Sequence, residues 1–283
     1  MNHTPDRSQR AIDAEERLAH TPRQLFLPGF ETKHGALPND VNRSSLFAPI
    51  ARGPRRRHHQ AKMVTRSDCT LEYSGEQLDE ADADIAMALI QFALPRPFAE
   101  PVPVNRAELL RFIGRGTGKT QYEWLHRRIK AMTEATMFLE TRRKDGTRRY
   151  SVGRYYGFHI IDKFAYDEAT GVYYFVLDAR WFAMFMGRNF ALIDWQKRKE
   201  LTRQDMAKAL QRLIATDAET VQRYALDGLK AQFSYSGRMR DFREAISRAC
   251  SELVRVGVLA RYRLDESSRG TEQLTVWRAP VDN

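Results

Sequence analysis

One stretch of the chain carries residue types that could do chemistry: Gly114-Arg115-Gly116-Thr117-Gly118-Lys119-Thr120. Glycines running into Lys-Thr are what a nucleotide-cradling loop uses, with backbone amides and the lysine on the phosphates. That loop needs Gly, four residues, then Gly-Lys-Ser/Thr, all after a buried strand. Counting back from Gly118, the first glycine falls on Ile113, and Gly114 leaves the loop one residue short. The preceding Glu108 to Ile113 reads as a helix. A turn ahead of a DNA-contacting helix fits better, since glycine lets backbone approach closely and helix-start amides bind phosphate.

Other reactive residues are dispersed. His58-His59 belongs to a solvated basic run, and His126 falls on a helix as a packing or DNA-contact residue rather than a base. Cys69 and Cys250 lie far apart without CxxC or Cys/His spacing, so no zinc site is expected and a reducing compartment fits. Tyr155-Tyr156 and Tyr173-Tyr174 fall on strands without the histidine cluster of a nicking enzyme. The carboxylates from Glu76 to Asp84 are expected to form a solvated acidic face. No catalytic site, cofactor or metal is expected. The balance of 46 Lys+Arg against 36 Asp+Glu, net +10, favours polyanions, nucleic acid before acidic membrane. Apolar runs such as Gly171 to Leu177 are too short to cross a bilayer, and Met1 to Arg10 has no apolar export core. A cytoplasmic location is expected.

The elements that would position a nucleic-acid site follow from periodicity and punctuation. Residues 1–62 read as a mostly disordered basic tail with scattered prolines, broken by an apolar island, Gln24 to Phe30, that suggests a docking motif. A strand is predicted around Val64 to Tyr73. A helix is predicted over Glu76 to Leu94, with Leu78, Ile85, Leu89 and Phe92 facing the core. Asn105 caps a short helix, Arg106 to Ile113. A second helix from Lys119 to Ala135 puts Tyr122, Leu125, Ile129 and Met132 on one face. Asp145-Gly146 marks a hairpin between Met137–Arg143 and Arg148–Val152, and a second hairpin joins Gly157–Tyr166 to Val172–Asp178. Helix, turn, helix, basic hairpin is the order of a winged helix.

The order then recurs. A helix near Ala179 to Met186 and a basic linker, Trp195 to Glu200, lead to helices over Arg203–Ala215 and Ala218–Phe233. A long helix, Arg238 to Val256, buries Phe242, Ile246, Ala249 and Leu253 and stops at Gly257. Val258–Leu264 and Gln273–Arg278 form a last hairpin. The fold class is therefore α+β: two tandem winged-helix domains, 63–187 and 188–283, behind the tail. Double-stranded DNA is the expected partner. The face opposite each apolar stripe supplies the base-reading candidates Lys119, Thr120, Glu123, Arg127 and Lys130, then Arg240, Arg243, Ser247 and Arg248. The hairpin tip, with Arg142, Arg143, Lys144, Arg148 and Arg149, supplies phosphate contacts.

Several segments in colinear order resemble one family. Ala36 to Asp40 with Arg43 to Phe47, and Leu71 to Leu78, resemble its leading segment and first strand. Glu108-Leu109 with Gly114, Trp195 to Leu201, and Phe242 to Leu253 resemble its first helix–turn, interdomain link and C-terminal recognition helix. These, from about Gln24 to Leu264, are similar to the TrfA family of plasmid replication initiators. The resemblance implies binding to direct repeats (iterons) at a plasmid origin and opening of adjacent AT-rich DNA. It implies recruitment of the host initiator DnaA, the replicative helicase and the sliding clamp, and a monomer–dimer equilibrium with the monomer active. Gln24, Leu25, Leu27 and Phe30 resemble the family's clamp-docking peptide, although Phe26 and Pro28 depart from it. The alternative is a winged-helix transcriptional regulator, since fold does not settle function.

Overall fold

In a computed structural model, the chain is described at residue 31 and over 33–50, 54–97, 100–142, 148–152, 157–186, 189–267 and 270–280. The clamp-like residues Gln24, Leu25, Leu27 and Phe30 lie outside these, as do Arg143 and Lys144. Two hydrophobic cores form, one built from residues between Ala36 and Trp195, the other between Leu201 and Val276. Among the described residues no helix is long and apolar enough to cross a membrane.

The first core begins earlier than the sequence indicates. Residues 34–62, read as tail, contain strand β1 (His34–Pro38), a helical turn α1 (Asn39–Asn42), β2 (Phe47–Ala48) and most of β3 (Arg57–Met63). Ala36, Leu37, Val41, Leu46 and Phe47 are fully buried. No local pairing signal marks β1, because it pairs with a strand some 150 residues away, β11 (Phe190–Asp194), rather than with a local neighbour. The expected strand at Val64 starts later, as β4 (Cys69–Glu76). β5 (Leu78–Asp79) pairs with β2, and Asp79 caps α2 (Glu80–Ala93) through a reciprocal box with Asp82.

The next elements are β6 (Val102–Asn105), α3 (Arg106–Phe112) and α4 (Lys119–Glu134). Asn105 Oδ1 accepts from the Ala107 amide at 2.8 Å, the expected cap. α3 ends at Gly114, φ 76, where the Gly114 and Arg115 amides close onto Arg111 and Leu110 carbonyls. The hairpin β7 (Thr136–Arg142) and β8 (Arg148–Val152) forms, but it joins a four-stranded sheet ordered β3-β4-β7-β8. The second hairpin, β9 (Ile161–Asp167) and β10 (Val172–Leu177), is the one that shares a sheet with β6, in the order β6-β10-β9. The basic hairpin is thus set apart from the sheet that completes the α3–α4 unit.

α5 (Ala179–Met186) leads into β11, which lies with the first core, so the boundary drawn between 187 and 188 cuts that core. The second unit contains α7 (Asp205–Ile214), β12 (Val221–Ala225), α8 (Leu226–Gln232), α9 (Met239–Arg255), β13 (Leu259–Glu266) and β14 (Glu272–Arg278). The helix predicted over 218–233 is therefore a strand followed by a short helix. β12 completes a sheet ordered β12-β14-β13, and sheet pairing overrides local helix propensity there. The same order, helix–strand–helix–helix–hairpin, occurs in both units. Arg106 and Leu226 open the first helix of each pair, Phe112 and Gln232 close it, and Lys119 and Met239 open the second.

Candidate nucleic-acid interface

The two paired helices present matching faces. On α4, Leu125, Ile129 and Met132 are buried, while Lys119, Thr120, Glu123, Arg127 and Lys130 are all exposed. On α9, Phe242, Ile246, Ala249, Cys250 and Leu253 are buried, and Arg240 and Arg248 are exposed. Thr120 and Arg240, Glu123 and Arg243, and Arg127 and Ser247 occupy equivalent positions, counted from the start of each helix. Two of the nominated side chains are already engaged. Arg243 Nη2 pairs with Glu272 on β14, and Ser247 Oγ is 3.0 Å from Tyr262 Oη on β13. These contacts brace α9 on its sheet and leave Arg240 and Arg248 as the exposed cations of that face.

Arg142 is exposed and its guanidinium lies 2.9 Å from Glu140. Arg148 and Arg149 belong to β8. Trp124 packs under the Arg115 guanidinium at 3.7 Å. His126 sits among Phe164, Tyr166 and Tyr173 with ring centroids 5.6–6.0 Å away, a half-buried packing residue. Burial pushes the thiols of Cys69 and Cys250 up to about 12, so both stay protonated at neutral pH. The Gly114–Gly118 loop follows helix α3, not the strand a nucleotide-cradling loop requires.

What holds the two helix pairs in one frame is a charge network that the sequence reading placed in solvent. Glu80, Asp82 and Asp84 are all buried. Glu80 and Asp84, four apart on α2, face the second unit; Asp82 turns the other way. Arg198, on α6 (Trp195–Glu200), reaches Glu80 at 2.9 Å and also pairs with Asp84. Lys208 and Arg212, four apart on α7, meet Asp84 at 2.6 Å and Glu80 at 3.0 Å respectively. Arg212 also donates to the Phe47 carbonyl at 2.7 Å. The basic link Trp195–Glu200 is thus a helix with one cation buried, and Trp195 Nε1 ties it to the Phe112 carbonyl at 3.0 Å.

On the other side of α2, Asp82 receives Arg128 of α4 in two bonds, at 2.7 and 2.9 Å, and Arg55 at 2.7 Å. Arg55 therefore leaves the supposed solvated run to become structural. Burial and the neighbouring Asp82 raise Asp79 to about 7. Burial would also raise Asp84, but Arg198 and Lys208 outweigh it and hold Asp84 below the usual carboxylate range. The ion pairs hold α2 to α4 on one side and to α6 and α7 on the other. The relative placement of α4 and α9 is fixed through this shared helix.

Comparison with known proteins fits this architecture. Two solved structures of RctB domains 2 and 3 share the fold. One, from a selenomethionine derivative, has TM-score 0.60 at 12% identity, covering 87% of this chain and 99% of that one. The other has TM-score 0.53 at 11% identity, over 86% and 97%. A structure of Pi initiator protein in complex with iteron DNA has TM-score 0.53 at 14% identity, over 90% and 100%. No curated protein matches the sequence. The sequence model of one family, described as TrfA protein, matches residues 22–267, and the chain belongs to that family of plasmid replication initiators.

Proposed function

We propose that the protein initiates plasmid replication by binding direct repeats at an origin through two winged-helix domains. One observation carries this reading: the doubled helix–strand–helix–helix–hairpin order, with exposed cations on the outer faces of both α4 and α9, in a TrfA-family chain. α4 and α9 lie in successive major grooves, and the β9–β10 and β13–β14 hairpins lie along the backbone. Lys119, Thr120, Glu123, Arg127 and Lys130 read one part of the repeat; Arg240 and Arg248, flanked by Arg243 and Ser247, read the other. The basic tip of β7–β8 adds phosphate contacts without sequence information.

In this scheme the protein performs no covalent step. It assists melting of adjacent AT-rich DNA and brings DnaA and the replicative helicase to the opened strands. The Gln24 to Phe30 segment docks on the sliding clamp, and the monomer of a monomer–dimer equilibrium is the active form. Binding of labelled duplexes across a salt series tests the division of labour. Arg127→Ala is expected to flatten preference for the repeat over scrambled DNA by about 1–3 kcal/mol. Arg148→Ala is expected to weaken both duplexes alike and to reduce the salt slope by about one. Identical behaviour of the two variants would contradict the assignment.

A further inference from the structure

Between the two units lies a cleft of ≈ 430 Å³, walled on one side by the α3–α4 turn and on the other by the α6–α7 link. We infer that this cleft seats a backbone phosphate of the bound DNA, beside the start of the reading helix α4. The inference rests on the DNA-binding reading above and adds a contact which that reading does not contain.

The wall is cationic in excess of what the fold uses. Asp84 is already engaged by Arg198 and Lys208. Arg115, Lys199 and Arg203 then face the cavity with Asp205 as the remaining lining acid. Lys199 and Arg203 are exposed, and neither forms an ion pair among the described residues. Arg115 is held from two sides, stacked on Trp124 at 3.7 Å and bonded to Gln121 Oε1 at 3.3 Å. A guanidinium fixed that way keeps further N–H groups for an anion and needs little ordering to use them.

The loop chemistry points the same way. Gly114 has a left-handed φ of 76 and is needed to end α3. Gly116, which lines the cleft, has no such requirement: its φ is not positive, and a Cβ there would meet nothing within 4 Å. The fold therefore gives no reason for glycine there, whereas a ligand approaching the bare backbone does. No side chain caps the first turn of α4, which starts at Lys119 beside this loop. Opposite it, Arg203 keeps a left-handed φ of 61 that a non-glycine residue seldom adopts, a conformation found at ligand clamps. Gln121, in the first turn of α4, lines the cleft, so the cleft lies beside the helix start that carries Lys119 and Thr120.

The experiment is a salt series on full-length K199Q/R203Q, with repeat and scrambled duplexes. The expected result is a salt slope lower by about two, with affinity lost equally on both duplexes and the melting temperature unchanged. An unchanged slope, with Arg127→Ala still reducing binding, would remove the cleft from the DNA interface and leave the general reading standing. Failure of the unaltered protein to bind any duplex would instead sink the reading itself. Thermal stabilisation by millimolar inorganic phosphate that disappears in K199Q/R203Q, with the slope unchanged, would overturn the DNA assignment in favour of a free phosphate ligand.

Discussion

Glu80→Ala is expected to lower the unfolding free energy by about 3–5 kcal/mol, the range for removing one partner of a buried ion pair. The size comes from what is left behind. Arg198 and Arg212 are 1% and 2% exposed, and both use Glu80 as a partner. Arg198 keeps Asp84, but Arg212 keeps only the Phe47 carbonyl and Asn42 Oδ1, at 2.7 and 3.3 Å. Water cannot replace the lost carboxylate at a site this closed, so the guanidinium is stranded in low dielectric. An exposed pair such as Arg240–Glu244, one helical turn apart, is worth about 0.3–0.5 kcal/mol by comparison. Urea denaturation at neutral pH measures the difference, and a loss below about 1 kcal/mol would show that the carboxylate is solvated after all. Because Glu80 joins α2 to both α6 and α7, the same variant should loosen the second unit from the first.

The second large effect is on sequence discrimination. The double variant R240A/R248A is expected to lose about 2–6 kcal/mol of preference for the repeat over scrambled DNA, at about 1–3 kcal/mol for each arginine reading a base. Eight residues along a helix separate the two by about 12 Å, far enough for the losses to add. Arg243→Ala should cost less discrimination, because that guanidinium is already committed to Glu272 on β14. Competition binding against both duplexes reads the preference directly. Equal losses on repeat and scrambled DNA would mean that α9 contacts only phosphates.

Parts of this architecture are legible locally. The caps at Asn105 and Gly257, the buried stripes of α4 and α9, and the β13–β14 hairpin each depend on residues within a few positions of one another. Their polar faces follow from the same stripes. Other features depend on partners remote in sequence. Arg198 lies 118 residues from Glu80, β1 finds β11 some 150 residues away, and β12 is a strand only because β14 lies beside it. Two signals for the network were nevertheless present. Nearly the whole of α2 is apolar beyond its first turns, and a helix hydrophobic on all sides is buried, its acids included. Glu80 and Asp84 are four apart, as are Lys208 and Arg212, so the two helices carry complementary rungs. The basic hairpin misled for a related reason: its charge and turn were readable, but its sheet partners, β4 and β3, were not.

The most direct test of the initiator reading is a footprint of the purified protein on the DNA flanking its own gene. Several evenly phased protections in one orientation, beside an AT-rich tract that becomes reactive to single-strand probes, are the expected result. A single palindromic protection over a promoter, with no strand opening, would contradict it and make the same two helices those of a transcriptional regulator.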